Sequence, residues 1–464
     1  MNKIFYSILS LSLATASLTS CTNDSLDPEV KLEKDITTSP LSSLNDLKMV
    51  VNGGYKAMMS EYYYGRDYII YNEVRSDNAI SNGNSGRFVY ESDFNVQISS
   101  SYPSDTWLSI YKMIGYANIA INANITEAGA EDAIQNYQAQ AYALRALGHF
   151  DLLKLYGQQN VDKSTTALGV PYITKYGAPT AENYTRKTVA EVKELIYADM
   201  DLALSLANDD TSDYNVLNKQ SILALKARMA MYMAPFFGDS EYTVALNAAN
   251  EAIALGGTVA NATDFVANFN NGISGSNSVF TLAFLPTDNN GVNSLYQLYN
   301  DTPYGDIQPA EEVKTVLFAD ASDVRGGVAM LKKVGSTLRN VGKYTTRYAP
   351  VDIIRYEEIV LTAAEAAFRT GDSNTALTLV NSVATNRGVA ALSSVTLEDI
   401  LTERRKEFIF EGFRFDDLMR NQKDIPAVSA RNASNTPAYG DVRLAFPIPL
   451  AEVNASGITQ NKGY

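Results

Sequence analysis

Apolar residues recur at three- and four-residue spacing along most of this chain, a pattern that predicts amphipathic helices. In the first such stretch, Leu44, Leu47, Val51, Tyr55 and Met58 form one apolar stripe. The same spacing predicts helices over 44–59, 105–125, 132–156, 187–207, 218–234, 241–255, 356–370, 374–387 and 396–420. We therefore expect a mainly α fold with few short strands.

Two adjacent pairs of predicted helices have the form of helical hairpins. Gly238-Asp239 separates one pair and Gly371-Asp372 the other, and alanines follow each turn. Small residues let helices approach closely, as they do in tetratricopeptide-type repeats. The pattern predicts a tetratricopeptide-like scaffold of helical hairpins, with two ordinary hairpins as the alternative.

Two long stretches lack any helical period. Residues 65–104 are rich in Gly, Ser, Asn and Tyr, and 257–355 mix turns with strand-like runs at 278–284 and 343–349. Long stretches of this kind are usually functional or separately folded. We expect them to form a loop-rich ligand-binding face on one side of the scaffold.

The N-terminus has the layout of an export signal. Lys3 precedes a mostly apolar run, Ile4–Leu18, which is too short to span a bilayer, and Cys21 follows it. A thiol at this position is the lipid acceptor of a lipoprotein, whereas an ordinary signal peptide with a stray cysteine is the alternative. We predict a lipoprotein signal peptide at 1–20 and a lipidated N-terminus with linker at 21–40. A single body would follow at 41–464, with a helical repeat part at 41–256 and a loop-rich C-terminal part at 257–464.

Composition excludes several functions. The net charge is −14 with scattered Lys and Arg, so the chain lacks the basic footprint of nucleic-acid binding. With one histidine, His149, and one cysteine, most histidine-based catalysis and thiolate chemistry are excluded. We expect no metal site and no cofactor; the oxygen-rich run 77–86 does not follow the calcium-loop pattern. The 29 tyrosines suit the stacking of sugar rings.

A run of acidic residues near the C-terminus raises the alternative of a glycosidase, because such enzymes use paired carboxylates. The acidic residues are Glu403, Glu407, Glu411, Asp416 and Asp417. Arginines are interleaved with them, so we expect ion pairs that keep these carboxylates ionised and unsuited to general-acid chemistry. His149 and Trp107 lie on apolar helical faces, and we predict that both belong to the core.

The aperiodic stretch after the first helix carries aromatic rings beside amides and charges, which is the combination that sugar recognition needs. Three consecutive tyrosines at 62–64 cannot all point inward, so at least one should be exposed. Asp77 and Asn78 are also suited to fixing a turn. The same set of groups could bind a peptide backbone. The candidates in this stretch are Tyr63, Tyr64, Tyr68, Arg75, Asp77, Asn78, Phe88 and Tyr90.

An ordered set of motifs resembles the SusD/RagB family of outer-membrane nutrient-binding lipoproteins. The motifs are EVRSDNA (73–79), YALRALGHFDLLKLYG (142–157), DIIRYEEIVLTAAEAAFRTGD (352–372), ERRKEFIFEGFRFDDLMR (403–420) and FPIPLAEVNASGITQNKGY (446–464). The resemblance extends over essentially the whole body and follows the same order.

This resemblance implies a surface-exposed lipoprotein of the outer membrane and no enzyme. It would capture oligosaccharides, or in some relatives peptides, and pass them to a TonB-dependent transporter of the SusC type. Family members tend to contact ligand through loops of the middle third, which adds Tyr296, Tyr299 and Tyr304 as candidates. Starch-binding relatives use tryptophan platforms, and this chain has a single Trp.

Overall fold

Helices make up most of the described structure, which is a computed structural model covering residues 40–177 and 184–464. The predicted signal peptide, Cys21 and nearly all of the linker lie outside the described residues. Residues 42–464 form one compact unit. The α-helices are α1 Leu44–Met58, α2 Asp67–Val74, α3 Val89–Ser92, α4 Ser101–Ile121, α5 Glu131–Tyr156, α6 Gln159–Asp162, α7 Val189–Leu206, α8 Lys219–Phe237, α9 Ser240–Ala254, α10 Ala262–Asn271, α11 Leu295–Tyr299, α12 Tyr356–Arg369, α13 Ser373–Ala384, α14 Leu397–Phe408, α15 Arg414–Arg420 and α16 Leu450–Ser456.

The strands are short and pair two by two, antiparallel in each case. They are β1 Ala79–Ser81, β2 Ser278–Leu282, β3 Ile307–Pro309, β4 Leu331–Val334, β5 Thr337–Asn340 and β6 Val351–Arg355. The pairs are β1 with β3, β2 with β6, and β4 with β5. The strand pairs therefore only connect loops to each other, and the packing of the helices defines the fold.

The long helices pack one on the next in chain order. Helix α1 packs on α4, α4 on α5, α5 on α7, α7 on α8, α8 on α9, α9 on α12, and α12 on α13. Helices that pack one after another in chain order are the arrangement of tetratricopeptide-type repeats. The predicted mainly α, tetratricopeptide-like fold with few short strands is confirmed.

The backbone conformation at the turns of the two predicted hairpins explains why both turns, which have the sequence Gly-Asp, begin with glycine. Gly238 ends α8 with a φ of 101°, and Gly371 adopts a φ of 93° between α12 and α13, a backbone region that favours glycine. Asp372 then caps α13, because its side chain accepts a hydrogen bond from the Thr375 amide. Alanines at the contact, including Ala245 and Ala376, are fully buried.

Capping boxes set the starts of several helices within a few residues of the predicted positions. Ser43 caps α1 and pairs with Asp46, and Thr188 caps α7 and pairs with Glu191 in the same way. Helix α4 departs further from prediction. It begins at Ser101 rather than 105, which places Tyr102 on its first turn.

The stretch 65–104, predicted as a surface loop, is largely an interior segment. It contains α2, β1 and α3, and every residue of α2 is buried. Polar residues such as Asp77 and Asn78 pair with arginines from far along the chain, so composition alone did not distinguish this segment from a solvated loop. Strand β1 pairs with β3, which ties this segment to the middle third.

The predicted helix 396–420 is two helices, α14 and α15, separated by residues 409–413. Phe410 and Gly412 have φ values of 69° and 83°, which a helix cannot accommodate. A Cβ on Gly412 would lie 2.9 Å from the Ile69 Cα atom. The Gly412 amide donates to a Glu73 carboxylate oxygen at 2.8 Å. The break thus lets this backbone pack directly on α2.

The run 343–349, predicted as strand-like, forms no strand, whereas 278–284 contains β2. Lys343 turns inward instead, and its ammonium group donates to the Glu407 and Ile409 carbonyl oxygens at 3.0 and 2.9 Å. Tyr344 has a φ of 60°, which interrupts an extended strand. Within the described ranges, no helix combines the length and apolar character needed to cross a bilayer.

Candidate ligand-binding site

The tyrosines that follow α1 divide between the interior and the surface. The hydroxyl groups of Tyr63, Tyr64 and Tyr68 all donate to the carboxylate of Asp151, at 2.5, 2.9 and 2.9 Å. These three rings are buried, whereas Tyr62 is 39% exposed. The prediction that at least one of the consecutive tyrosines is exposed is confirmed, and the exposed one is Tyr62.

The motif at 73–79 is an anchor for the C-terminal helices. The Asp77 carboxylate pairs with Arg405 and Arg414 at 2.8 and 2.7 Å. Burial works against the charge of Asp77, but the two guanidinium groups outweigh it and hold the pKa of this carboxyl below its usual value. Arg75 lies between the rings of Phe415 and Phe446, 4.1 and 4.3 Å from their centroids.

Asn78, Phe88 and Tyr299 complete the set of inward-facing candidates. The Asn78 amide donates to Glu73 at 2.9 Å, and its oxygen accepts from Arg405. Of the eleven predicted ligand contacts, eight are less than 10% exposed and offer almost no surface to an external ligand. They are Tyr63, Tyr64, Tyr68, Arg75, Asp77, Asn78, Phe88 and Tyr299.

The remaining candidates lie where two loops meet. Tyr90 is 57% exposed, and Tyr296 and Tyr304 are half-buried. Residues 82–90 and 288–304 form this surface. Tyr102 adjoins it by stacking on Phe88, and Tyr62 adjoins it because the neighbouring Glu61 accepts a hydrogen bond from the Asn293 amide. We call this surface the loop face.

A stacked pair of side chains joins the two loops of the loop face. The Arg87 guanidinium lies over the Tyr304 ring, 4.6 Å from its centroid. The same guanidinium donates to the Val292 carbonyl oxygen at 3.1 Å. The stack therefore fixes the plane of an aromatic ring at the surface without removing it from solvent.

Side-chain hydrogen bonds hold the backbone of the loop face. The Asn84 amide donates to the carbonyl oxygens of Pro303 and Tyr304, at 2.9 and 2.6 Å. The Asp306 carboxylate accepts from both the amide and the hydroxyl of Ser85, each at 2.7 Å. The two loops are thus ordered with respect to each other, which lowers the entropy lost when a ligand binds.

Tyr102 belongs to this surface and was not among the residues predicted from the sequence. Its ring stacks on Phe88 with centroids 4.4 Å apart, and Arg66 lies within 5.6 Å of its centroid. On the neighbouring turn, the Glu61 carboxylate raises the pKa of Tyr62, so that hydroxyl stays a hydrogen-bond donor. Arg87 was also missed, although it is the one charged residue between Asp77 and Tyr90 and could have been singled out on that ground.

The residues proposed for alternative chemistry are engaged in the interior. His149 is fully buried; it stacks on Tyr172 with centroids 3.7 Å apart, and its Nε2 accepts from the Ile173 amide. Burial lowers the pKa of His149 to about 3, so the ring is neutral. Trp107 is 3% exposed. Both predictions of a core role are confirmed.

The acidic residues of 403–420 are ion-paired, as predicted, but several partners differ from the expected ones. Asp417 pairs with Arg404 and Arg420 from the same stretch. Glu407 instead accepts from three arginines far upstream in sequence. These are Arg325, Arg355 and Arg387. Among the described residues, no group of three or more His, Cys, Asp or Glu side chains could hold a metal ion.

Comparisons with known proteins place this geometry in a family. Residues 29–231 match a family model described as starch-binding and associating with the outer membrane, and 319–464 match the SusD family. The chain is similar to SusD-like protein P38 of Formosa agariphila, with 24% identity over alignment positions covering 87% of this chain and 89% of that protein.

Solved structures agree with the family models. A SusD superfamily protein of Bacteroides thetaiotaomicron is 25% identical with a TM-score of 0.80, covering 90% of this chain and 99% of its own. One from Bacteroides vulgatus is 26% identical with a TM-score of 0.80, covering 91% and 100%. The chain therefore belongs to the SusD/RagB family of carbohydrate-binding proteins.

Proposed function

We propose that this protein is a lipid-anchored protein of the outer-membrane surface that captures oligosaccharides on its loop face. It would pass them to a TonB-dependent transporter of the SusC type. The observation that carries the proposal is the Arg87–Tyr304 stack, which holds an aromatic ring at the surface between two ordered loops. The apolar face of a sugar ring packs on such a ring, and its hydroxyls reach neighbouring amides and charges.

Three features of the loop face support a saccharide rather than a catalytic role. Its rings, Tyr62, Tyr90, Tyr102 and Tyr304, keep exposed or half-exposed surface. Exposed amides, including Asn82 and Asn84, lie beside them. The acidic residues that a glycosidase would need are held in ion pairs, and all of them except the half-buried Asp416 are buried. A binding role with no reaction is consistent with this arrangement.

The first experiment measures binding of the protein to a panel of polysaccharides and peptide mixtures, by affinity gel electrophoresis and calorimetry. We expect binding to one glycan class, with Arg87→Ala and Tyr304→Ala each weakening it about tenfold through loss of the stacked platform. Tyr214→Ala is the matched control, because Tyr214 is 36% exposed and lies outside the loop face. Capture of peptides with no glycan binding would overturn the oligosaccharide proposal.

The anchor and the partner need separate tests. Cys21→Ser should abolish incorporation of labelled fatty acid in cells and release the protein from the outer-membrane fraction. Affinity purification of the wild-type protein from solubilised outer membranes should recover a TonB-dependent transporter. A protein that stays in the membrane fraction without Cys21, or that recovers no such transporter, would contradict this part of the proposal.

A further inference from the structure

A cleft opens along one face of α4, lined by residues that are not part of the loop face. Its volume is about 440 Å³, within the range of pockets that enclose small ligands. Helix α4 supplies one wall through residues spaced four apart, which therefore share one face of the helix. These residues are Trp107, Tyr111, Gly115 and Ile119. The extended segment 171–177 and Tyr184 form the opposite wall, and α16 contributes Glu452.

Side chains of α4 hold the opposite wall in place. The Tyr111 hydroxyl donates to the Pro171 carbonyl oxygen at 2.9 Å, and the Asn118 amide donates to that of Ile173 at 3.0 Å. The Asn122 amide donates to the Thr174 carbonyl oxygen at 3.1 Å. The cleft between α4 and this segment is therefore a fixed feature of the fold.

Aromatic rings dominate the lining of this cleft. Tyr176 stands at its mouth and is 58% exposed. The Tyr176 ring packs against α4 at Gly115, which has no side chain. A Cβ at that position would lie 3.5 Å from the ring. Trp107 and Tyr111 lie deeper, with their ring centroids 4.9 Å apart. One ring face at the mouth is thus available for stacking.

The charges in the cleft have no partners in the part of the chain that the structure describes. Lys112 and Lys175 line it and are exposed, and neither forms an ion pair there. The half-buried Glu452 carboxylate has no hydrogen-bond partner among the same residues. Burial alone raises the pKa of Glu452. The cleft therefore carries a local excess of positive charge on a chain whose net charge is −14.

We propose that this cleft is a second saccharide-binding site, for a sugar ring that carries an anionic substituent such as a carboxylate or a sulfate. The ring stacks on Tyr176, the anionic group accepts hydrogen bonds from Lys112 and Lys175, and ring hydroxyls donate to Glu452. An apolar ligand would further desolvate the half-buried Glu452 carboxylate without pairing it, and the two lysines disfavour a cationic ligand.

The test titrates the full-length protein in detergent with an oligogalacturonate, a sulfated oligosaccharide and a neutral oligosaccharide of equal length. We expect one of the acidic ligands to bind, and the neutral one to bind at least about tenfold more weakly, because it lacks the group that the lysines contact. Tyr176→Ala, and separately Lys112→Ala with Lys175→Ala, should each weaken acidic-ligand binding about tenfold or more. All three residues are exposed, so these variants should fold.

Matched controls separate this cleft from general charge effects and from the loop face. Lys48→Ala with Lys332→Ala removes two exposed lysines elsewhere that form no ion pair with any residue the structure describes, and should change affinity less than about threefold. Tyr214→Ala, at an exposed tyrosine outside both the cleft and the loop face, should leave this binding unchanged. Equal affinity for the neutral ligand, failure of both acidic ligands to bind, or binding insensitive to both cleft variants would each overturn the proposal. The titrations use an Arg87→Ala background, in which loop-face binding is weakened, so these outcomes report on the cleft.

Discussion

The interior around Glu407 and the loop face around Arg87 are built from the same kinds of residue and differ in where the partners lie. Glu407 accepts from Arg325 at 3.2 Å, Arg355 at 2.7 Å and Arg387 at 2.8 Å, and all four side chains are buried. Arg87 contacts one ring and one carbonyl oxygen at the surface. The content of arginine, acidic and aromatic residues therefore does not identify a binding surface. Such a side chain belongs to the interior when partners that are distant in sequence pack against it.

The difference is one of electrostatics as well as of position. Burial alone would favour the neutral form of Glu407, but the three guanidinium groups outweigh it and hold the pKa of this carboxyl well below its usual value. Removing one member of such a buried set leaves uncompensated charge, whereas removing a surface contact exposes groups to water. Substitutions in the interior should therefore lower the stability of the fold, whereas substitutions on the loop face should weaken ligand binding.

The largest effect is expected for Glu407→Gln. Three buried guanidinium groups would lose their shared counter-charge, and breaking a buried ion pair costs about 3–5 kcal/mol. Chemical denaturation should show this loss in the free energy of unfolding. Glu398→Gln is the control, because the Glu398 side chain is 69% exposed and pairs with Lys423 at the surface. A loss below about 1 kcal/mol would mean that the interior pairs are no more important than surface ones.

Asp151→Asn should cost somewhat less. The Asp151 carboxylate accepts from three tyrosine hydroxyls and pairs with Lys154 at 3.2 Å, whereas an amide offers only one acceptor oxygen. Leaving buried donors unsatisfied costs about 1–3 kcal/mol, so we expect a loss of about 2–3 kcal/mol by the same denaturation assay. Asp201→Asn, at a surface pair with Lys226, is the control. Equal stability of the two variants would show that the tyrosine cluster contributes nothing to the interior.

The sequence predicted the helices well because their signals are local. The stripe from Leu44 to Met58 and the turns at Gly238 and Gly371 depend on residues a few positions apart, and the structure confirms them. The break between α14 and α15 depends on the contact of Gly412 with Ile69, which is more than 300 residues away. No local sequence pattern predicts this break.

The candidate surface was harder to predict for the same reason. The sequence predicts that Asp77 is a loop residue, because its partners Arg405 and Arg414 are distant in sequence. The sequence places Tyr102 in a predicted loop, whereas in the structure α4 begins at Ser101 and includes Tyr102. Whether a tyrosine or an aspartate faces solvent is decided by long-range pairing, which a single sequence does not specify.

A pH titration of His149 extends the comparison to the helical scaffold. The pKa of His149 is lowered by burial from 6.5 to about 3, so the folded protein resists the protonation that the unfolded chain accepts. Its contribution to stability is present above pH 6.5 and is lost as the pH falls toward 3. We expect His149→Gln to remove about 2 kcal/mol of the stability difference between pH 7 and pH 5. Identical pH slopes for variant and wild type would exclude this role.

Glu91 lies on α3, directly after the loop 82–90, and it should show the opposite pH dependence. Neither of its carboxylate oxygens has a hydrogen-bond partner among the described residues, and burial raises its pKa to about 7. Stability from its neutral form is present below pH 4.5 and is lost as the pH rises through 7. Glu91→Gln should therefore raise stability at pH 8, by on the order of 1–2 kcal/mol, and have little effect at pH 5. A variant that is less stable than wild type at pH 8 would contradict this account.

The smallest effect on stability, and the sharpest contrast with Glu407, is expected for Arg87→Ala. The Arg87 side chain is half-buried, and its contacts are one ring face and one carbonyl oxygen that water can reach. Its loss should change the free energy of unfolding by no more than about 0.5–1 kcal/mol, as is usual for surface contacts. The same variant should bind the glycan that the loop face captures about tenfold more weakly. If Arg87→Ala instead destabilised the protein as much as Glu407→Gln, the stack would be part of the core, and the distinction between an interior that stabilises and a surface that binds would fail.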